Sequence, residues 1–348
     1  MSVEQRICHG DHPEPPYPLH PSIVNRIDPQ YAAFYNKHII RHQQVHLQPI
    51  EASRASGTLI PGAGPLAPVT KTDDHLIPRQ ETTGPSVRVR AFTPLGLRPA
   101  EGWPVCIYFH GGGWVLGTID TENVIATNLC ARGRCVVVTV DYRLAPENPF
   151  PAAVDDCWES VLWVLGQGKD VLQLDTTKLA TGGSSAGGNL AAIMCQRAAT
   201  LGSPKFSLQL LSVPVTDNTA NARSNISWKE NEHTPALPAS KMLWYRNHYL
   251  PNKSDWSHPE ASPLLWEGDW SKLPRAVIVV GELDVLRDEG RQFGHKLRQA
   301  GAKAEVHVMK GQPHPFIAMD GVLDAGREAI THFCNALRET MYRTSNLV

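Results

Sequence analysis

The sequence predicts an α/β fold: a mostly parallel eight-stranded sheet flanked by helices, with a helical cap. Three observations carry this reading. From about residue 73 onward, short β-branched runs alternate with longer amphipathic stretches, the pattern of strands joined by crossover helices. Apolar residues make up 42% and charged residues 19% of the 348 residues, so a large core can be buried and global disorder is excluded. One long segment, residues 217–270, breaks the alternation and is rich in aromatic side chains.

Taken in chain order, residues 1–22 carry Pro13, Pro15, Pro16, Pro18 and Pro21 and read as an extended arm. Asp28-Pro29 then offers a helix start, with Asp as N-cap and Pro at the first helical position. Tyr31, Phe34, Tyr35, His38 and His42 recur at helical spacing and form one face. Residues 52–70 are small and rich in Gly and Pro, a loop composition. The candidate strands are 73–78, 86–93, 104–110, 134–141, 178–182, 206–213, 275–281 and 304–310. The candidate helices are 120–132, 151–167, 186–200, 285–300 and 320–341. The segment 217–270 holds Trp228, Trp244, Trp256, Trp266 and Trp270 with Tyr245 and Tyr249. It reads as a lid over a pocket, with simple packing onto the core as the alternative.

Charge and apolar patterning exclude several functional classes. Lys plus Arg number 33 against 34 Asp plus Glu, and the net charge of −1 provides no field for nucleic acid or an anionic membrane. The longest apolar runs, Cys135–Val140 and Ala276–Val280, fall far short of the ~18 residues of a membrane span. The first residues lack a basic stretch followed by an apolar one, so no secretory signal is expected. The seven cysteines are odd in number, scattered and without a C-x-x-C pair, which fits a reducing, cytoplasmic location rather than a disulfide scaffold.

Two glycine-rich motifs carry chemistry. Thr181–Gly188, TGGSSAGG, contains the frame G-x-S-x-G centred on Ser185, between a candidate strand and a candidate helix. Small residues two before and two after the serine allow a sharp strand-to-helix turn that leaves the hydroxyl exposed, as a nucleophile requires. HGGGW, His110–Trp114, follows another candidate strand. Its consecutive glycines let backbone N–H groups point into a cleft, where they stabilise an oxyanion. Gly112 and Gly113, with the N–H of Ala186 at a helix N-terminus, are the candidate donors. A flexible hinge is the plain alternative, and a phosphate loop is disfavoured because no Lys-Ser/Thr follows.

HGGGW, then DYRLAPENPFPAAVDD (Asp141–Asp156), then G-S-S-A-G-G resembles the hormone-sensitive-lipase-like branch of the α/β-hydrolases, which includes carboxylesterases. The resemblance runs from about residue 73 to the C-terminus. It divides the chain into an N-terminal arm and cap helix, 1–72, and a hydrolase core, 73–348, with a cap insertion at about 217–270. One departure stands beside the nucleophile: the family places Asp or Thr where this chain has Ser184. GELDVLRDEG (Gly281–Gly290) is similar to the family motif whose first Asp is the acid of a catalytic triad, which implies Asp284. Glu282 is the weaker competitor, and Asp288 and Glu289 fit a helix first turn for dipole reasons alone. His314, between two prolines in GQPHPF, occupies the family's position for the general base; His307 in a strand and His295 in a helix read as structural.

The expected function is serine-hydrolase cleavage of carboxylic esters of small to medium, apolar molecules through an acyl-enzyme. Ser185 would be nucleophile, His314 base and Asp284 acid. Trp114, Tyr35, Trp244 and Phe316 are the candidate pocket residues. No metal or organic cofactor is expected: His38, His42 and His46 are four residues apart but lack the carboxylate of H-E-x-x-H. The expected partner is a small-molecule ester, with no nucleic acid and no membrane span, and the resemblance implies a homodimer paired through the last strand. Lactone or amide hydrolysis, acyl transfer or cyclisation by the same triad is an alternative. A small-molecule receptor on this fold is another, weakened by the presence of His314.

Overall fold

The computed structural model describes residues 16–55 and 60–342. Cys8, Pro13 and Pro15 of the N-terminal arm lie outside the described residues.

Asp28 caps the helix that begins at Pro29. Its carboxylate accepts from the N–H groups of Gln30 and Tyr31, at 2.8 and 3.1 Å, satisfying two orphan donors of the first turn. The N-terminal segment forms short helices α1 (Pro21–Val24), α2 (Pro29–Phe34) and α3 (Ile50–Ala55), with a π-helical turn at Tyr35–Ile39 between the last two. The helical face foreseen through His42 therefore ends earlier. The small-residue stretch expected as loop from residue 52 is helical in its first residues, where Ser53 and Arg54 tie α3 down through side-chain hydrogen bonds.

The eight strands are β1 (Lys71–Ile77), β2 (Val87–Thr93), β3 (Trp103–Phe109), β4 (Val136–Asp141), β5 (Leu174–Ser184), β6 (Leu208–Ser212), β7 (Arg275–Gly281) and β8 (Ala304–Met309). They form one sheet in the order β1-β2-β4-β3-β5-β6-β7-β8. β2 runs antiparallel to both β1 and β4, and every pair from β4 to β8 is parallel. Alternate residues of the central strands feed two different cores. Val105, Ile107 and Phe109 of β3 join one apolar cluster, and Cys106 and Tyr108 join the other, as the period of two dictates.

The first face is covered by α5 (Ala152–Leu165), α6 (Gln167–Leu172), α7 (Ala186–Leu201) and α10 (Arg287–Gln299), and the second by α4 (Asn123–Gly133) and α11 (Asp324–Tyr342). Between β6 and β7 the insertion forms α8 (Ile226–Glu230), α9 (Ala239–Tyr249) and three 3₁₀ turns. Cys106, Cys130, Cys135, Cys157, Cys195 and Cys334 are buried free thiols. No described helix is long and apolar enough to cross a membrane.

The sheet gathers the motifs at one end. β3 leads into HGGG, β5 into Ser185, β7 toward Asp284 and β8 toward His314. This is the carboxyl edge of a parallel sheet, the crevice where α/β folds bind ligands. The motif DYRLAPENPFPAAVDD has a structural part to play. Its Asp156, almost wholly buried, accepts from the Arg143 N–H at 2.7 Å and pairs with the guanidinium groups of Arg79 and Arg143. It thereby fixes the chain that follows β4.

Candidate active site

The turn between β5 and α7 is built by glycines that admit no side chain. A Cβ at Gly183 would stand 2.3 Å from the Gly187 carbonyl carbon, and one at Gly187 only 1.9 Å from the Phe109 carbonyl oxygen. This close approach of α7 to β3 and β5 forces the residue between them into φ 57°, ψ −115° at Ser185. Such a conformation is costly for a non-glycine residue. It holds the Ser185 side chain at the N-terminus of α7, facing a cavity.

Ser185 Oγ lies 2.9 Å from His314 Nε2, and His314 Nδ1 lies 2.8 Å from Asp284 Oδ2. All three side chains are buried. The other carboxylate oxygen of Asp284 accepts from the Leu286 N–H at 2.9 Å. Asn231, in the insertion, donates to the carbonyl oxygens of Glu282 and Asp284, and Thr234 donates to that of Leu283. The insertion therefore holds the loop that carries Asp284. The competitors are occupied elsewhere: Glu282 accepts from the Gly311 N–H at 2.7 Å, His307 stacks on His332 at 3.8 Å, and His295 is exposed.

Gly112 and Gly113 adopt φ of 122° and 61° and line the same cavity as Ser185. No hydrogen bond among the described residues occupies their N–H groups or that of Ala186, the first residue of α7. The preceding His110 is locked under them. Its Nδ1 donates to the Gly111 carbonyl at 2.6 Å, its ring stacks on Tyr142 at 4.3 Å, and the Tyr142 hydroxyl donates to the His110 carbonyl at 2.8 Å. Burial pulls its pKa down to about 4, so this imidazole stays neutral.

Glu122 was invisible to sequence reasoning. It is half-buried against this loop, and its Oε2 accepts from the Tyr108 hydroxyl at 3.0 Å and the Gly111 N–H at 3.3 Å. Burial pushes its pKa up to about 7, opposed by Tyr108, Gly111 and Ser184. Ser184 is thus faced by a carboxyl that comes from the start of α4. No local signal marks this, because Glu122 stands well beyond the glycines, in a turn where its φ of 64° is left-handed.

The cavity holds about 520 Å³. Tyr31 and Tyr35 line it from the N-terminal segment, and Met242 and Tyr245 from α9. Three of the sequence-predicted pocket residues lie elsewhere. Trp114, at φ 59°, is fully buried and stacks on Tyr249 at 4.2 Å. Trp244 is a helical step of about 100° away from the inward-facing Tyr245 and packs on His248 at 4.7 Å. Phe316 is sealed in the second core cluster. Tyr35 does line the cavity. Of the seven aromatic residues foreseen as a lid, Tyr245 alone lines it; the others bind the insertion to the core, as in the ring contact of Trp270 with Phe293 at 5.0 Å. Glu289, read as a dipole partner, instead pins the start of the insertion to α10, accepting from the Thr216 and Asp217 N–H groups and from Trp228. His42 lines the cavity, whereas His38 packs on Phe34 and His46 faces Ser240. Among the described residues no group of three or more His, Cys, Asp or Glu is placed to hold a metal.

A sharp Ser-bearing turn, a hydrogen-bonded Ser–His–Asp chain and a glycine loop at the carboxyl edge of a mixed sheet define the α/β-hydrolase class. The model of a family described as having the alpha/beta hydrolase fold matches residues 106–318, and the chain belongs to that family, in its hormone-sensitive-lipase-like branch. An AB hydrolase superfamily protein of Schizosaccharomyces pombe is 46% identical over 327 residues, 92% of this chain and 96% of that one. Carboxylesterase NlhH of Mycobacterium tuberculosis is 32% identical over 295 residues, 84% of this chain and 90% of the relative. The solved structure of a hyperthermophilic esterase from Pyrobaculum calidifontis matches with a TM-score of 0.81 at 31% identity, covering 90% of this chain and 98% of that one.

Proposed function

We propose that this protein is a serine hydrolase that cleaves carboxylic esters of small to medium molecules. The observation that carries the reading is the unbroken chain Ser185 Oγ–His314 Nε2, His314 Nδ1–Asp284 Oδ2, with distances of 2.9 and 2.8 Å. Relatives bearing the names carboxylesterase and esterase support the choice of bond.

In this mechanism Ser185 Oγ attacks the ester carbonyl carbon while His314 takes its proton. Asp284 holds the imidazole in the tautomer that presents an unprotonated Nε2 and stabilises the imidazolium that forms. The N–H groups of Gly112, Gly113 and Ala186 receive the developing oxyanion; their fixed positions spare the reorganisation water would need. The carbon–oxygen bond to the alkoxy group breaks, and His314 protonates the departing alcohol. Water then loses a proton to His314 and attacks the acyl-enzyme, releasing the acid and restoring Ser185. Tyr31, Tyr35, Met242 and Tyr245 offer apolar surface to the substrate, and the cavity volume suits a small to medium molecule.

The test is hydrolysis of p-nitrophenyl esters from acetate to dodecanoate, run beside Ser185→Ala and an intact-mass assay for a fluorophosphonate adduct. Turnover lost in the variant, with a single adduct on Ser185, is the expected outcome. A Ser185 adduct without ester turnover would redirect the reading to acyl transfer or another dedicated reaction of the same triad. Neither adduct nor turnover would overturn the catalytic reading in favour of a receptor.

A further inference from the structure

The cavity that holds Ser185 has a cation in its wall that the ester mechanism does not use. Lys241, in the first turn of α9, lines the cavity together with Met242 and Tyr245. It is partly buried, and its Nζ donates to the Ala236 carbonyl at 2.7 Å. Its other contact is with a ring, Tyr245, whose centroid lies 5.9 Å away. No described carboxylate pairs with it. An ammonium taken out of water without a counter-charge is costly, and one carbonyl satisfies one of its three donors.

Burial pulls the Lys241 pKa down to about 8, which still leaves the ammonium protonated at neutral pH, and the surroundings leave that charge unpaired. Glu122 is the one carboxyl among the described residues that line the cavity, and it is engaged by Tyr108 and Gly111 beside the oxyanion loop. His46 is held neutral, its pKa lowered to about 4 by burial and by Lys241 itself. Arg41 and His42, both exposed, add basic groups to the lining from the N-terminal segment. A chain of net charge −1 therefore presents a locally positive wall inside its catalytic cavity, the arrangement that draws and orients an anion.

The position relative to the reacting centre is set by α9. Lys241 and Tyr245 are four residues apart on one helical face. The Tyr245 ring lies so close to the oxyanion loop that a Cβ on Gly113 would stand 2.3 Å from it. The ammonium lies 5.9 Å from the centroid of the ring that abuts the oxyanion loop. That is a span a short methylene chain can bridge.

We propose that Lys241 is an anion subsite, and that the preferred substrates are esters carrying a carboxylate some carbons away from the scissile bond. The proposal rests on the ester-hydrolase reading and names the substrate class of that site. With the carboxylate on the acyl side, water cleaves a hemiester to an alcohol and a dicarboxylate. With it on the alkoxy side, water releases a hydroxy acid and a simple acid. In both cases Ser185 forms and loses one acyl bond, and the carboxylate stays ion-paired and unreacted.

The experiment separates this proposal from the reading beneath it. Full-length Ser185→Ala protein is titrated calorimetrically with monoethyl esters of succinic through sebacic acid, with acetoxy acids of matched length, and with neutral ethyl esters of equal length. The expected result is that one carboxylate-bearing arm binds at least ~10-fold more tightly than its neutral match. Adding Lys241→Met should abolish that ratio, and Lys241→Arg should retain most of it. Equal binding of charged and neutral esters throughout both arms overturns the proposal; that comparison needs no change at Lys241 and so does not depend on how the Lys241 variants fold. A preference that survives Lys241→Met in folded protein also overturns it. Turnover of neutral esters by the unsubstituted protein is measured in parallel. Its absence counts against ester hydrolysis, whereas the binding ratio alone decides the subsite.

Discussion

Gly187 and the carbonyl oxygen of Phe109 are packed so closely that a single methyl group cannot enter: a Cβ there would sit 1.9 Å from the oxygen. This contact presses α7 onto the end of β3 and places the Ser185 turn beside the HGGG loop. Gly187→Ala must therefore push the helix from the sheet. Overpacking against backbone, which has no rotamer to yield, should cost more than ~3 kcal/mol and disrupt the turn. Gly202, at the end of the same helix, has φ 79° and open space around it. Gly202→Ala should cost only about 1 kcal/mol, the left-handed penalty. Urea unfolding of the two variants checks the contrast; equal losses would refute it.

A second prediction concerns Gly113 and Tyr245. The Cβ of an alanine at 113 would stand 2.3 Å from the Tyr245 ring, so Gly113→Ala should displace the ring or the oxyanion donor. A lost donor costs about 10²–10³-fold in kcat. If the clash is the cause, Tyr245→Ala in the same chain should recover part of that loss. Recovery stays partial because φ 61° still disfavours alanine. A double-mutant cycle on kcat reads the coupling, and strict additivity of the two substitutions would show that the ring is not responsible.

The parts of this molecule that were legible in the sequence are those set by local rules. Strand–helix alternation and period-two burial mark the sheet, and glycine spacing marks the turn at Ser185 and the loop at Gly112–Gly113. Asp28-Pro29 announces its helix because capping needs only neighbouring atoms. What stayed hidden depends on distant contacts. Glu122 meets Ser184 and Gly111 only after β3, β5 and α4 are assembled. Trp114 and Trp244 look like pocket residues by type, yet a backbone turn in one case and a helical step in the other direct them into packing. Glu289 reads as a helix-start residue and instead anchors the start of the insertion at Thr216 and Asp217.

A third prediction tests the role assigned to Asp284. Asp284→Asn keeps the volume but removes the charge and permits the wrong imidazole tautomer, as the carboxylate now facing His314 Nδ1 at 2.8 Å does not. By analogy with serine-hydrolase triads generally, kcat should fall about 10⁴-fold, while KM for the same ester changes little. Steady-state kinetics on p-nitrophenyl butyrate measures both. A loss of less than about tenfold would mean that another group orients His314.

The last prediction follows from the burial of Glu122. Its pKa of about 7 in the folded protein, against 4.5 for the free side chain, has burial as its first cause. Between these values the folded chain holds a proton that the unfolded chain has lost. The Glu122 contribution to stability therefore falls as pH rises from about 4.5 through about 7 and its cost is fully present above that range, while the lowered pKa values of His110 and His46, about 4, act with the opposite sign at the acid end. The raised pKa of Glu289, about 8, acts with the same sign as that of Glu122. Glu122→Gln removes the Glu122 contribution, and its amide oxygen can still accept from the Tyr108 hydroxyl and the Gly111 N–H. The variant should gain stability relative to the parent as pH increases, by as much as ~3 kcal/mol between about pH 5 and 8. The contributions of Glu289, His110 and His46 are common to both proteins and cancel in the difference. Urea titrations of both proteins across that range give the difference directly. A difference that does not change with pH would show that Glu122 is ionised across that range in the folded protein as in the unfolded chain, and would refute its raised pKa.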